Sequence, residues 1–107
     1  MNAISENIPV NLAQVLIETV FTDPENPKVG ETCYIAWRTR NWTDVYLEGY
    51  FIIRAYKNNV LKLEVRYPSS GYYYIPPYST RLESTSAVFN EAGNYEVCVY
   101  FYYWAWY

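Results

Sequence analysis

Histidine is absent from this 107-residue chain. With it go the commonest general base, the commonest metal-ligating side chain, and every Ser-His or Cys-His nucleophilic arrangement. Aspartate is scarce: Asp23 and Asp44 both fall inside turn-forming clusters. The nine glutamates stand mostly singly, so a glycosidase-like mechanism would need a carboxylate pair made only by folding. No glycine-rich phosphate loop is present, and "DPEN" has too few ligands for a calcium loop. The expectation is a protein with no catalytic residue, no cofactor and no metal.

Positive charge is also sparse. Eight Lys and Arg face eleven Asp and Glu, for a net charge of −3. The five arginines (Arg38, Arg40, Arg54, Arg66, Arg81) are scattered, which leaves no electrostatic footprint for nucleic acid. No stretch approaches the roughly 20 apolar residues that span a bilayer. The opening "MNAISENIPV" has neither a basic n-region nor an apolar h-region, so no signal peptide is expected.

Aromatic residues are abundant. Fourteen tyrosines, four tryptophans and four phenylalanines make up 21% of the chain. Between clusters of turn residues, β-branched and aromatic residues alternate with period two. Six strands follow: "VLIETVF" (15–21), "TCYIAWRTR" (32–40), "VYLEGYFIIRAY" (45–56), "VLKLEVRY" (60–67), "TRLESTSAVF" (80–89) and a last strand from Asn94 onward. Cys33, Ile35 and Trp37 share one face of the second strand, and Trp37 with Ile35 is expected in the core. Leu61, Leu63 and Val65 are expected on one side of the fourth. Gly49 inside the third strand suggests a bulge or a strand start. "KNN" (57–59) signals a hairpin, because Asn tolerates positive φ. "PSSGYYYIPPYS" (68–79) reads as a loop. No helix is expected. The pattern fits an antiparallel β-sandwich, with a small barrel as the alternative. Residues 1–14 form an N-terminal arm and residues 15–107 the domain.

The segments "DPENPKVGETCYIAW", "FIIRAYKNN" and "EAGNYEVCVYF" resemble the immunoglobulin-like sandwiches of the CARDB and fibronectin type III kind. In that family a Pro-rich turn and a Gly-Glu pair lead into the second strand, and "AG-x-Y-x-V" opens strand F. The resemblance implies a sandwich rather than an activity. It also implies a further strand, G, after F. Here no turn residue separates Phe101 from Tyr107, so a hairpin return is not expected and the sandwich looks one strand short.

Cys33 and Cys98 fall where an immunoglobulin disulfide would link two strands. Parity opposes that: with Tyr95, Val97, Val99 and Phe101 facing the core, Cys98 faces away while Cys33 faces in. Two separate thiols are favoured. "NWT" (41–43) is a glycosylation sequon in an expected turn, and an unmodified turn is favoured.

Two aromatic clusters are left as a candidate interaction surface. Tyr72, Tyr73, Tyr74 and Tyr78 lie in the 68–79 loop, where they either fold over the end of the sandwich or form a recognition loop. At the C-terminus, Tyr102, Trp104 and Trp106 lie on one side of the strand, and Tyr103, Ala105 and Tyr107 on the other. A strand apolar on both faces asks for cover on both, and a bare edge asks for a neighbour. That neighbour is either the chain's own arm around 3–12 or a segment of another subunit.

The expected function is a non-enzymatic structural or adhesive module, a building block or surface protein of a virion or extracellular assembly. Its expected partner is itself or another protein. The alternative is a carbohydrate-binding module using Tyr72, Tyr73, Tyr74 and Trp42.

Overall fold

The computed structural model describes residues 2–4 and 15–106. Eight strands run in chain order: β1 (Asn2–Ile4), β2 (Val15–Asp23), β3 (Thr32–Asn41), β4 (Tyr46–Lys57), β5 (Val60–Tyr67), β6 (Tyr73–Ile75), β7 (Ser79–Val88) and β8 (Glu96–Trp106). They form two antiparallel sheets, one ordered β1-β8-β4-β5 with β6 also on β4, the other ordered β2-β3-β7. The protein is thus an all-β sandwich, as the alternation in its sequence requires. Among the described residues no helix is long and apolar enough to cross a membrane.

Turn chemistry sets the strand boundaries. Asn58 and Asn59 both adopt positive φ (51° and 66°), and Lys57 pairs with Val60. This two-residue connection matches the right-handed twist of the flanking strands. Gly30, at φ 78°, closes the turn before β3, and its N–H donates to the Phe89 carbonyl. β2 carries a register shift between Glu18 and Phe21, with Thr19 at positive φ.

The inner faces of both sheets supply the core. Ile17, Cys33, Ile35 and Trp37 come from one sheet; Leu47, Phe51, Ile53, Ile75, Val99 and Phe101 from the other, all fully buried. Phe51 lies at the centre. Its ring stacks on Phe101 at 4.5 Å and meets Trp37 at 5.1 Å. Each such side chain contributes about 1.5–3 kcal/mol by leaving water. Across one side of the sandwich, Tyr67 of β5 and Tyr73 of β6 both donate their hydroxyls to Glu83 of β7. That carboxylate therefore ties the two sheets together.

Three local expectations need correction. Gly49 is neither a bulge nor a strand start. The β4–β8 register runs unbroken from Tyr46↔Trp106 to Tyr56↔Glu96. A Cβ at Gly49 would collide with the Tyr102 carbonyl oxygen and lie 2.8 Å from the Tyr103 Cα, so the glycine serves close backbone approach. Leu61 does not share a face with Leu63 and Val65. A shift in the β4–β5 register pairs Leu63 with Ala55 but Leu61 with Tyr56, and Leu61 is exposed. Finally, the 68–79 segment is not all loop: β6 pairs with β4 through Leu47↔Ile75, Glu48↔Tyr74 and Gly49↔Tyr73. A three-residue strand is too short to show alternation between prolines.

β8 is a single unbroken strand of 11 residues. The place beside it is taken by β1, through Asn2↔Tyr103, Ala3↔Tyr102 and Ile4↔Phe101. The chain's own N-terminal segment therefore covers the middle of this edge. The remainder of the expected arm, residue 1 and residues 5–14, lies outside the described residues.

Candidate interaction surface

β4 is the hub of the larger sheet, hydrogen-bonded to β8 on one side and to β5 and β6 on the other. Its even-numbered residues point away from the core. Cross-strand partners share a face, so the register lays out the outer surface row by row. Trp106 lies opposite Tyr46; Trp104, Glu48 and Tyr74 form the next row; Tyr102 faces Tyr50. Tyr100, Ile52 and Arg66 follow, then Cys98, Arg54 and Glu64, then Tyr56 flanked by Glu96 and Leu61. Tyr72, just ahead of β6, joins the same face through contacts with Tyr50 and Trp104.

Nine aromatic side chains thus occupy one outward face: Tyr46, Tyr50, Tyr56, Tyr72, Tyr74, Tyr100, Tyr102, Trp104 and Trp106. They interact in order. Tyr50 stacks on Tyr102 at 5.5 Å, and Tyr72 meets Trp104 edge-on at 5.5 Å. Two guanidinium groups lie over rings: Arg66 over Tyr50 (4.5 Å) and Tyr72 (5.8 Å), and Arg54 over Tyr100 (5.3 Å). Arg54 also bonds the Glu64 carboxylate at 2.7 Å. Burial and its Cys98 and Tyr56 neighbours push the Tyr100 hydroxyl up to about 12.

Near one end of this face is an open hollow of about 390 Å³, lined by Glu48, Tyr72, Trp104, Ala105 and Trp106. The Trp106 Nε1–H donates to Glu48 at 3.2 Å. The Tyr74 hydroxyl donates to the same carboxylate, and this bond raises the phenol pKa. Trp106 and Tyr72 remain more than half exposed (59% and 51%). A second hollow, of about 550 Å³, lies at one end of the sandwich between the 24–29 and 89–95 segments, and holds none of the aromatic candidates.

The candidates from sequence separate by direction. Tyr72, Tyr74, Tyr102, Trp104 and Trp106 come together on the outer face. Tyr73 and Tyr103 turn inward and pack against the core cluster. Tyr78 stands exposed in the turn before β7, its N–H bonded to the Thr43 carbonyl. Tyr107 lies outside the described residues. Trp42 belongs elsewhere: Arg40 covers its ring at 5.2 Å and bonds Glu18 of β2 in the opposite sheet. Sequence reasoning missed Tyr46, Glu48, Tyr50, Tyr56, Tyr100, Arg54 and Arg66. The alternation of "YLEGYFIIRAY" carries the signal, but only the pairing of β4 with β8 shows that the two aromatic rows adjoin.

The other site-like features resolve simply. Cys33 is buried in the core and Cys98 lies on the outer face, so parity keeps the two sulfurs apart and no disulfide joins them. Asn41 of the sequon is fully buried. Its Nδ2 donates to the carbonyls of Val45, Ile75 and Pro76, and its Oδ1 accepts from the Thr43 N–H and hydroxyl. No family model matches the chain, and comparison with curated proteins and with solved structures returns no match.

Proposed function

We propose that this chain is a non-enzymatic structural or adhesive module, an immunoglobulin-like sandwich akin to the fibronectin type III and CARDB kind. It associates with a protein partner through the outer face of the β1-β8-β4-β5 sheet. The observation that carries this reading is the gathering of nine aromatic residues on the face turned away from the core. Folding does not demand them there, since the core is already filled from the inner faces. Contiguous exposed aromatic surface marks an interaction site, and tyrosine and tryptophan give large contact area at low entropic cost.

The carbohydrate reading draws less support. Of its four residues, Tyr73 is bonded inward to Glu83 and Trp42 is engaged with Arg40, so only Tyr72 and Tyr74 share the outer face. Light scattering across a concentration series, with pull-down from a source extract as the second readout, tests the proposal. Tyr102→Ser and Trp104→Ser should each reduce assembly or capture tenfold or more, while Leu82→Ser, an exposed residue of the opposite sheet, should not. Equal behaviour of all three variants would refute the reading.

A further inference from the structure

We propose that the Glu48 hollow takes a lysine or arginine side chain presented by the protein partner. This deepens the interaction reading above and rests on it. The outer face sets its own cations over aromatic rings. Arg66 lies over Tyr50 and Tyr72, and Arg54 lies over Tyr100 while bonding Glu64. Two of the aromatic groups on this face therefore hold a guanidinium supplied by the chain, one of them with a carboxylate as well.

The third group pairs a carboxylate with two indole rings over which no guanidinium lies, while Tyr72, at its wall, already carries Arg66. Trp104 and Trp106 stand with Tyr72 around the Glu48 carboxylate. All eight Lys and Arg side chains of the sequence lie among the described residues. The four ion pairs among the described residues join Arg40 to Glu18, Arg54 to Glu64, and Lys57 and Lys62 to Glu91. None reaches Glu48, whose bonded partners are the neutral Trp106 N–H and Tyr74 hydroxyl. A carboxylate half-buried among aromatic rings gains most from a cation, which meets the negative charge and the negative ring faces together.

The lining also separates a cation from a sugar. Among the described residues Glu48 supplies the only carboxylate of the hollow, and the other lining residues are aromatic or alanine. A pyranose presents several hydroxyls and would leave most of them without partners, whereas an ammonium or guanidinium on an apolar stem matches one carboxylate and the two indole rings. The 390 Å³ available is enough for one long side chain, not for an extended chain.

The test is a titration of the intact protein with octalysine, followed by tryptophan emission and calorimetry, with octaserine and cellohexaose as controls. Octalysine should bind, and Glu48→Gln should weaken it at least tenfold. Glu64→Gln, on the same face and with the same change in net charge, should leave binding within twofold. Circular dichroism confirms that both variants are folded, and Trp106→Phe is the second probe, expected to weaken octalysine without changing net charge. Equal losses in the two glutamine variants would mean non-specific attraction to an acidic protein and would overturn the proposal. So would binding of cellohexaose in place of octalysine, or no octalysine binding at all. The outcomes also separate the two levels of inference. Loss of assembly in Tyr102→Ser with indifference to octalysine defeats the cation site alone; indifference in both experiments defeats the interaction reading.

Discussion

Tyr50 of β4 and Tyr102 of β8 stand directly opposite each other on the outer face, their rings 5.5 Å apart and 20° from parallel. One residue earlier in β8, Phe101 stacks in the same manner on Phe51, but inside the core at 4.5 Å. Neighbouring positions on one strand thus make similar aromatic pairs under opposite conditions. Phe101→Ala removes a fully buried ring and should cost about 3–5 kcal/mol. Tyr102→Ala removes a half-exposed cross-strand contact and should cost about 1 kcal/mol. Urea denaturation of both variants checks the ratio. Comparable losses would mean that the outer face is part of the folding core, and would remove the reason to assign it to a partner.

Asn41 links the end of β3 to the β6 segment by donating to three carbonyls that lie 4, 34 and 35 residues away in sequence. Asn41→Asp replaces the donor with an acceptor facing those same oxygens. Each buried polar group left unpaired costs about 1–3 kcal/mol, so the variant should lose about 3 kcal/mol or more in a denaturant titration. The same geometry closes the sequon. Protein made in a glycosylating host should carry no glycan on Asn41 in its folded fraction, as read by intact mass.

Gly49→Ala should destabilise by about 2 kcal/mol or more, because the added carbon meets backbone rather than a movable side chain. β8 would have to shift away from β4 next to Tyr102 and Tyr103. Hydrogen exchange provides the local readout: protection should fall in β8 around Tyr102 before it falls in β3. Uniform loss of protection, or none, would contradict the close approach.

The Glu83 bridge has an alkaline signature. Its hydrogen bond, aided by burial, pushes the Tyr67 hydroxyl up to about 12. Burial, with the same carboxylate, raises Tyr73 as well. The unfolded chain releases these protons near pH 10. Because the folded pKa lies above the unfolded one, the stabilisation is complete below about pH 10 and is lost as the pH rises towards 12. Phenolate absorbance and thermal melts should follow one another across that window. Glu83→Gln should bring the late-titrating tyrosines down in pH; an unchanged titration would mean that the bridge does not form.

Much of the fold was legible before folding. Alternation in "TCYIAWRTR" placed Cys33, Ile35 and Trp37 inward, and the same parity kept Cys98 outside. "KNN" gave a two-residue turn because few residues other than Asn and Gly accept positive φ. These features are local, and local rules read them. The register shift that exposes Leu61 was not legible, because it depends on how β5 pairs with β4. Asn41 was read as a turn residue for the same reason: its amide is held by carbonyls from a distant segment.

The aromatic strip at the C-terminus divides along this line. Sequence determined that it is a strand and that Tyr102, Trp104 and Trp106 share a side, since side-chain direction alternates with a fixed period. Tertiary structure decided which side faces water and what stands next to it. Tyr103 and Ala105 pack on the core, β1 covers the middle of the edge, and β4 adds a second aromatic row. Strand pairing joins residues some fifty positions apart, such as Glu48 and Trp104, so the surface exists only once the sheet has formed.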